Sequence, residues 1–276
     1  MNIITNPKKL RGFEKSIRAI KVENVSRRSV LKSLGIAGGF VLAAPVMSRS
    51  AFAAYETGAS KMPHGTVVDP RVFVAIAPDG IVTIVAHRSE MGTGVRTSLP
   101  LIVAEELEAD WSRVRVQQAH GDEVRYGNQD TDGSRSTRHY LMPMRQIGAS
   151  ARMMLEAAAA KRWGVPASEV KAVNHEVVHE ESGRRIGFGD LAADARKEPV
   201  PSIEALKLKD PKNFRYLGKG EISIVDLHDI TTGKTHYGSD TRLPGMKYAV
   251  IARPPVTGGK LVSFDAADAM KVSGVE

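Results

Sequence analysis

The stretch from His87 to Pro100 constrains the fold more than any other part of the chain. It reads HRSEMGTGVRTSLP and lies between an apolar run typical of a strand and a periodic run typical of a helix. Gly92 and Gly94 form the connection, and such a turn can direct backbone N–H groups toward the N-terminus of the helix. The stretch therefore predicts either an anion-binding cradle or an ordinary tight connection.

The spacing of these glycines excludes two common nucleotide motifs. Arg96, Thr97 and Ser98 stand where a further glycine or a Gly-Lys-Ser sequence would be needed. The stretch therefore matches neither the dinucleotide fingerprint nor the nucleoside-triphosphate fingerprint.

Charge and cysteine content exclude two further classes of function. The formal charge is +8, but ten basic and only two acidic residues lie in residues 1–53, so the rest of the chain is balanced. Composition therefore gives no support for binding nucleic acid. The chain contains no cysteine, so it cannot supply thiolate ligands to an iron–sulfur cluster.

Residues 1–53 have the features of an export signal. The pair Arg27-Arg28 precedes an apolar run from Leu34 to Met47, and Ala51-Phe52-Ala53 offers a small-x-small cleavage site. The apolar run is shorter than the roughly 20 residues that a membrane-spanning helix needs. Because SRRSVLK is similar to a twin-arginine signal, we predict export by the twin-arginine machinery, cleavage near Ala53 and a periplasmic location. A tether is predicted over residues 54–70.

The remaining chain mixes predicted strands and helices, which indicates an α+β fold. Pro78-Asp79-Gly80 separates two apolar runs, 72–76 and 81–85, and predicts a hairpin. Apolar residues recur at helical spacing from Thr97 or Ser98 to Trp111, and again over residues 139–163. Further strands are predicted at 113–119, 170–180, 247–253 and 260–264, and a short helix at 189–196.

Three polar groups of residues could bind a ligand. The acidic segment from Glu105 to Asp110 could bind a metal, but it fits a solvated helix face better. His175 and His179 are predicted on one exposed strand face with no third ligand nearby, so no metal site is expected. The segment GSRST at 133–137 could donate hydrogen bonds to a phosphate or a polar cofactor, or could serve only as a helix cap and turn.

Several ordered blocks of this sequence resemble the molybdopterin-binding large subunit of the xanthine dehydrogenase and aldehyde oxidase family. The blocks are EMGTGVRTSLPLIVAEELEADWSRVRV, MRQIGASARMMLEAAAAKRWGV and TTGKTHYGSDTRLPGMKYAVIARPPVTGGKLVSFDAADAMKVSGV. The resemblance covers residues 70–276 and favours the branch of the isoquinoline 1-oxidoreductase beta subunit and exported aldehyde dehydrogenases. It implies an N-terminal molybdopterin-binding-type α+β domain followed by the start of an α/β-hammerhead domain.

The resemblance also implies an activity and a cofactor. The family hydroxylates aldehydes or electron-poor nitrogen heterocycles at a molybdenum centre, with water as the oxygen donor. Its loop reads E-M-G-Q-G, so Gly92, Thr93 and Gly94 are implied cofactor contacts, with Thr93 in the place of the glutamine. Ser134 and Ser136 are further candidates. The expected cofactor is molybdopterin with molybdenum, in the cytosine dinucleotide form.

The resemblance implies partners and a longer chain. The family's general base is a glutamate in a later domain and has no counterpart in residues 54–276, so no catalytic residue is assigned and this piece alone is expected to be inactive. A small subunit with 2Fe–2S clusters is the expected electron acceptor, followed by a c-type cytochrome. The expected division is part of a molybdopterin-binding domain at 71–198, a linker at 199–220 and a truncated hammerhead domain at 221–276.

A second hypothesis stands beside the enzyme. The chain could be a non-catalytic exported binding or scaffold protein that reuses the fold. Within the enzyme hypothesis, an aldehyde and an N-heterocycle of the isoquinoline type both stay open as substrates.

Overall fold

The computed structural model describes residues 40–41 and 69–276. The rest of the predicted export signal and nearly all of the predicted tether lie outside the described residues. The chain divides into two compact units, one ending at Lys234 and one running from Thr235 to Glu276. Among the described helices, none combines the length and the apolar character that crossing a bilayer requires.

The first unit is built on a four-stranded mixed sheet. Strands β1 and β2 and strands β2 and β3 pair antiparallel, whereas β3 and β4 run parallel with Ala86 opposite Gln118. The hairpin predicted from Pro78-Asp79-Gly80 is confirmed as the β2–β3 connection, closed by a 2.8 Å hydrogen bond from the Gly80 N–H to the Ala77 carbonyl. In order across the sheet, the strands are β1 (Phe40–Val41), β2 (Val74–Ile76), β3 (Val82–Ala86) and β4 (Val114–Gln118).

Two long helices cover this sheet. Helix α2 connects the parallel strands β3 and β4, and helix α4 packs across α2. A Cβ atom on Gly148 of α4 would lie 2.4 Å from the carbonyl oxygen of Val103, so the close approach of the two helices requires glycine at this position. The helices of this part are α1 (Pro70–Phe73), α2 (Val95–Leu107), α3 (Glu123–Tyr126) and α4 (Arg135–Trp163).

A second, antiparallel sheet follows α4. Its strands are β5 (Val170–Val173), β6 (Glu176–His179) and β7 (Arg184–Gly187), and helix α5 (Phe188–Ala195) comes next. The single strand predicted over 170–180 was wrong, because Asn174 and His175 take positive φ values of 44° and 77° and reverse the chain.

The exposure predicted for His175 and His179 was also wrong, because both side chains are buried. The Nε2 atom of His175 lies 2.6 Å from the Gly80 carbonyl oxygen, and its ring stacks on Phe188 with the centroids 4.8 Å apart. Strand alternation alone did not show that α5 and the β2–β3 turn cover this face.

Residues 199–220, which we predict as a linker, belong to the same compact unit as the residues before them. The predicted domain limits themselves stay a prediction. One further helix, α6 (Leu227–Thr231), lies near the end of this unit. Short 3-10 turns occur at Trp111–Arg113, Ala167–Glu169, Ile203–Ala205, Pro211–Asn213, Gly238–Asp240 and Ala269–Lys271.

The strands predicted at 247–253 and 260–264 were wrong for this structure, since no strand forms within residues 235–276. Val250 is 99% exposed and Val262 is 95% exposed. A strand needs a partner to satisfy its backbone groups, and none of the described residues pairs with either segment. With segregated sheets and covering helices in the first unit, the described fold is α+β, as predicted.

Candidate functional site

Two loops meet where the parallel strands β3 and β4 end. Because the carboxyl ends of parallel strands lie at one edge of a sheet, the chain segments that follow them are neighbours. Three hydrogen bonds join residues 87–94 to residues 128–136, and we call these two segments the loop pair. The bonds run from Ser89 N–H to Gln129 O (3.1 Å), from Gln129 Nε2 to His87 O (3.0 Å) and from Thr131 Oγ1 to Ser89 O (2.6 Å).

Arg88 lies buried beneath the loop pair, with 1% of its surface exposed. Its Nε donates to Ser136 Oγ at 3.1 Å, and its Nη1 donates to the Asn128 carbonyl oxygen at 3.0 Å. The guanidinium carbon also lies 4.9 Å from the centre of the Tyr140 ring, which suits a cation–π contact. Its Nη2 has no hydrogen-bond partner among the described residues. The loop pair therefore rests on a buried cation with one unused donor.

Sequence reasoning missed Arg88, although a signal for it exists. Val82, Ile84 and Ala86 alternate along β3 as the buried face of that strand. Arg88 continues this period of two, so alternation places its side chain inward. An arginine in phase with a buried face needs internal hydrogen-bond partners, and here the second loop supplies them.

His87 is a buried, uncharged neighbour of Arg88. Its ring makes edge contacts with Phe73 and Tyr140, at centroid distances of 5.4 and 4.7 Å. Burial, with a smaller contribution from the positive charge of Arg88, lowers the pKa of His87 to about 3. Neither ring nitrogen has a partner within the described part of the chain. The imidazole is therefore neutral at pH 7 and packs as an aromatic ring.

The anion cradle predicted at the start of α2 is filled by the protein itself. The Glu90 carboxylate accepts hydrogen bonds from the backbone N–H groups of Gly92 (2.7 Å), Gly94 (3.0 Å) and Arg96 (3.0 Å). Burial alone would raise the pKa of Glu90, but these N–H groups outweigh it and hold the pKa below its ordinary value.

The carboxylate of Glu90 also explains where α2 begins. The helix starts at Val95, two residues before the predicted start at Thr97, and its N-cap is Gly94 with a φ of 79°. Thr97 is buried instead, and its Oγ1 accepts from the Val225 N–H at 2.9 Å. Because the capping group comes from an upstream glutamate, the search for a hydroxyl N-cap missed the boundary.

The predicted contact residues of the first loop differ in their surroundings. Gly92 and Thr93 are exposed, and a Cβ atom placed on Gly92 would meet nothing within 4 Å. A Cβ atom on Gly94 would lie 3.2 Å from Ile224 Cγ2. Of the two glycines, Gly92 is therefore the one with open space above it.

The predicted contact residues of the second loop also differ. Ser134 is exposed, and its side chain makes no capping hydrogen bond at the N-terminus of α4. Ser136 is buried, and its hydroxyl accepts from Arg88. Ser136 therefore connects the loop pair internally, whereas Ser134 lies at a helix start that no side chain of its own N-cap closes.

The acidic end of α2 is not the solvated face that we predict. Glu105 and Glu106 are fully buried. Glu105 accepts from Lys209 Nζ at 2.5 Å and from the backbone N–H groups of Arg215, Tyr216 and Leu217. Burial would raise the pKa of Glu105, but the hydrogen bonds from Lys209 and from these N–H groups lower it overall.

Glu106 extends the same arrangement. Its carboxylate accepts from Arg145 Nε at 2.7 Å and from the Lys209 N–H at 3.0 Å. The two glutamates therefore bind the chain segment 209–217 rather than a metal ion or solvent.

Comparison with known proteins agrees with this arrangement of loops. A family described as the molybdopterin cofactor-binding domain matches residues 27–236. The isoquinoline 1-oxidoreductase subunit beta of Brevundimonas diminuta is 34% identical over 288 residues, which cover 91% of this chain and 36% of that protein. A membrane-bound aldehyde dehydrogenase (pyrroloquinoline-quinone) of Gluconacetobacter polyoxogenes is 31% identical, and the match covers 91% of this chain and 32% of that protein.

Among solved structures, quinoline 2-oxidoreductase from Pseudomonas putida 86 is 18% identical with a TM-score of 0.38, over 47% of this chain and 17% of that one. The chain spans about a third of the length of the two curated relatives it matches here. Because the family match includes the whole loop pair and most of the chain, this chain belongs to the molybdopterin cofactor-binding domain family.

Proposed function

We propose that this chain forms the first cofactor-contacting part of a molybdenum oxidoreductase that hydroxylates aldehydes or N-heteroaromatic compounds. The observation that carries the proposal is the loop pair, which is internally bonded, rests on buried Arg88 and leaves Gly92, Thr93 and Ser134 exposed. The names of the two relatives, an isoquinoline oxidoreductase and an aldehyde dehydrogenase, support the two substrate classes.

The residues of the loop pair fit an anionic, polar cofactor such as molybdopterin. The space above Gly92 allows a planar group to approach the backbone, since a Cβ atom there would meet nothing. The N-terminus of the 29-residue helix α4 is favourable for negative charge, and its N-cap side chain does not fill it. Arg88 adds a buried positive charge beside Ser136 on the first turn of the same helix.

Each residue of the loop pair then has a separate task. Glu90 holds the first loop in place through three backbone N–H groups, so an external anion is directed away from α2 and toward α4. Thr93 occupies the position of the family's glutamine and reaches less far, so a bridging water completes its contact. Arg88 holds the two loops at a fixed separation.

When bound, the molybdenum cofactor supplies the redox chemistry that converts a substrate C–H bond to C–OH with oxygen from water, releasing two electrons and two protons. The catalytic base and the substrate pocket are proposed to lie in parts of the protein beyond these residues. Electron transfer to a small iron–sulfur subunit and then to a c-type cytochrome follows from the absence of cysteine in this chain. The arginine pair and the cleavage site support export by the twin-arginine route to the periplasm, which cell fractionation would test.

The test is cofactor analysis of the intact protein, purified from cells that make the molybdenum cofactor. We expect about one molybdenum per chain, a cytidine nucleotide released on denaturation, and turnover of isoquinoline or of an aldehyde with an artificial electron acceptor. A folded protein that holds no molybdenum, or that holds pyrroloquinoline quinone in its place, would overturn the proposal.

A pair of variants ties the cofactor to the loop pair. Arg88→Met removes the buried cation and its hydrogen bonds, so we expect molybdenum content to fall several-fold. Arg138→Met is the control, because Arg138 is an exposed arginine on the same helix. Equal molybdenum content in the two variants, with both folded, would refute the assignment of this site.

A further inference from the structure

The second sheet brings one histidine and two glutamates together at its edge. Glu169 precedes β5, His179 ends β6, and Glu181 lies in the turn between β6 and β7. One imidazole nitrogen and one oxygen from each carboxylate lie within 4.8 Å of one another. The sequence predicts no third ligand near His179, so this juxtaposition corrects that expectation.

His179 is held in an orientation suited to binding a metal ion. Its side chain is 3% exposed, and its Nε2 lies 3.0 Å from Glu169 Oε2. On the other side of the ring, Nδ1 lies 2.6 Å from Ser182 Oγ. When Nδ1–H donates to this hydroxyl oxygen, the Nε2 lone pair faces the carboxylates. An outer hydrogen bond of this kind fixes the tautomer of metal-binding histidines.

The hydroxyl of Ser182 can support this tautomer. It already accepts from Arg184 Nε at 2.7 Å. A hydroxyl oxygen has two lone pairs, so it can accept from Arg184 and from His179 at the same time. The outer contacts of the imidazole are therefore satisfied when Nε2 binds a cation.

The two carboxylates lack a cation of their own. Glu181 forms no salt bridge within residues 69–276, and the charged partner of Glu169 there is His179, which is a cation only when protonated. Two ionised carboxylates at this separation repel each other. The neighbouring Glu180 differs, because its carboxylate lies 3.9 Å from Lys171 Nζ. A divalent ion would neutralise the two charges that the protein leaves unpaired.

We propose that Glu169, His179 and Glu181 bind a divalent transition-metal ion of the zinc class. One imidazole nitrogen and two carboxylate oxygens are a donor set that Zn²⁺ accepts, with water in the fourth position. The ion connects the turn before β5 to the β6–β7 turn and so holds the edge of the second sheet. This site is independent of the cofactor loops, since none of its three residues belongs to the loop pair.

The experiment is a Co²⁺ titration of the intact protein, purified without a histidine tag and dialysed free of added metal. Co²⁺ quenches tryptophan fluorescence, and the Trp163 ring centroid lies 6.4 Å from that of His179. Zn²⁺ is then added to displace the Co²⁺. We expect saturable quenching that Zn²⁺ reverses.

Two matched variants decide the outcome. Glu181→Gln and Glu180→Gln make the same charge change at adjacent, exposed positions, so neither endangers the fold. We expect Glu181→Gln to weaken Co²⁺ binding about tenfold or more, and Glu180→Gln to bind like the wild type. Added Zn²⁺ should raise the melting temperature of the wild type and of Glu180→Gln only. Equal Co²⁺ affinity in the two variants, or no saturable quenching in the wild type, would overturn the proposal.

Discussion

Replacing Glu105 with glutamine should release the chain segment 209–217 from the end of α2. The substitution keeps the size of the side chain but removes its charge and turns one acceptor oxygen into a donor. It therefore breaks the 2.5 Å contact with Lys209 Nζ and sets an NH₂ group against the backbone N–H groups of Arg215 and Tyr216. Lys209 keeps a second partner, Glu108, at 2.6 Å.

The magnitude follows from these contacts. Leaving a buried charge without any partner costs about 3–5 kcal/mol, and because Glu108 still pairs Lys209 we expect a smaller loss of about 2–3 kcal/mol. With a urea m-value of about 2–3 kcal/mol per M, the unfolding midpoint should fall by about 1 M.

The assay combines urea unfolding with amide hydrogen exchange. The N–H groups of residues 215–217 donate directly to Glu105 and should exchange faster in Glu105→Gln, while the strands β3 and β4 keep their protection. Glu204→Gln is the control, because Glu204 is exposed and close to the same segment. Unchanged exchange at 215–217 and a midpoint equal to that of the control would refute the reasoning.

Two further predictions concern the helices beside the loop pair. Gly148→Ala should destabilise the protein by about 1–3 kcal/mol or more, because the new Cβ atom would lie 2.4 Å from Val103 O and 2.8 Å from Glu106 Cβ; Gly121→Ala, where nothing lies within 4 Å, should leave the urea midpoint unchanged, and equal midpoints in the two variants would contradict this. The folded-state pKa of Glu90 lies below the ordinary value of 4.5, so its stabilising contribution is complete above pH 4.5 and is lost as the pH falls through the folded-state pKa. Unfolding midpoints measured at pH 7 and pH 4 should therefore differ less in Glu90→Gln than in the wild type, and an identical difference in both proteins would count against the capping role.

Local sequence patterns were sufficient where neighbouring residues decide the structure. The turn Pro78-Asp79-Gly80 gave the β2–β3 hairpin, and helical spacing gave α4 within four residues of its start. These elements form because turn geometry and amphipathic periodicity act over a few residues. The family resemblance, carried by ordered blocks of the sequence, was confirmed in the same way by comparison along the chain.

Tertiary contacts decided the environment of each charged group. An acidic helix end looks solvated in the sequence, and only the segment 209–217, about a hundred residues later, shows that Glu105 is buried and hydrogen-bonded. The burial of His175 by Phe188 and Gly80 has the same cause. Alternation along β3 pointed Arg88 inward, but its partners Asn128 and Ser136 lie at least 40 residues away.

The sequence by itself determined the secondary structure of the first unit, the family and the location of the cofactor loops, because these depend on local pattern and on ordered motifs. Only the tertiary structure decided which groups in those loops are free. It showed that Glu90 fills the N-terminus of α2 and that Ser136 is bound to Arg88, while Gly92 and Ser134 stay exposed. The physical reason is that the burial of a charge or a hydroxyl depends on partners distant in sequence, and local patterns carry no information about them.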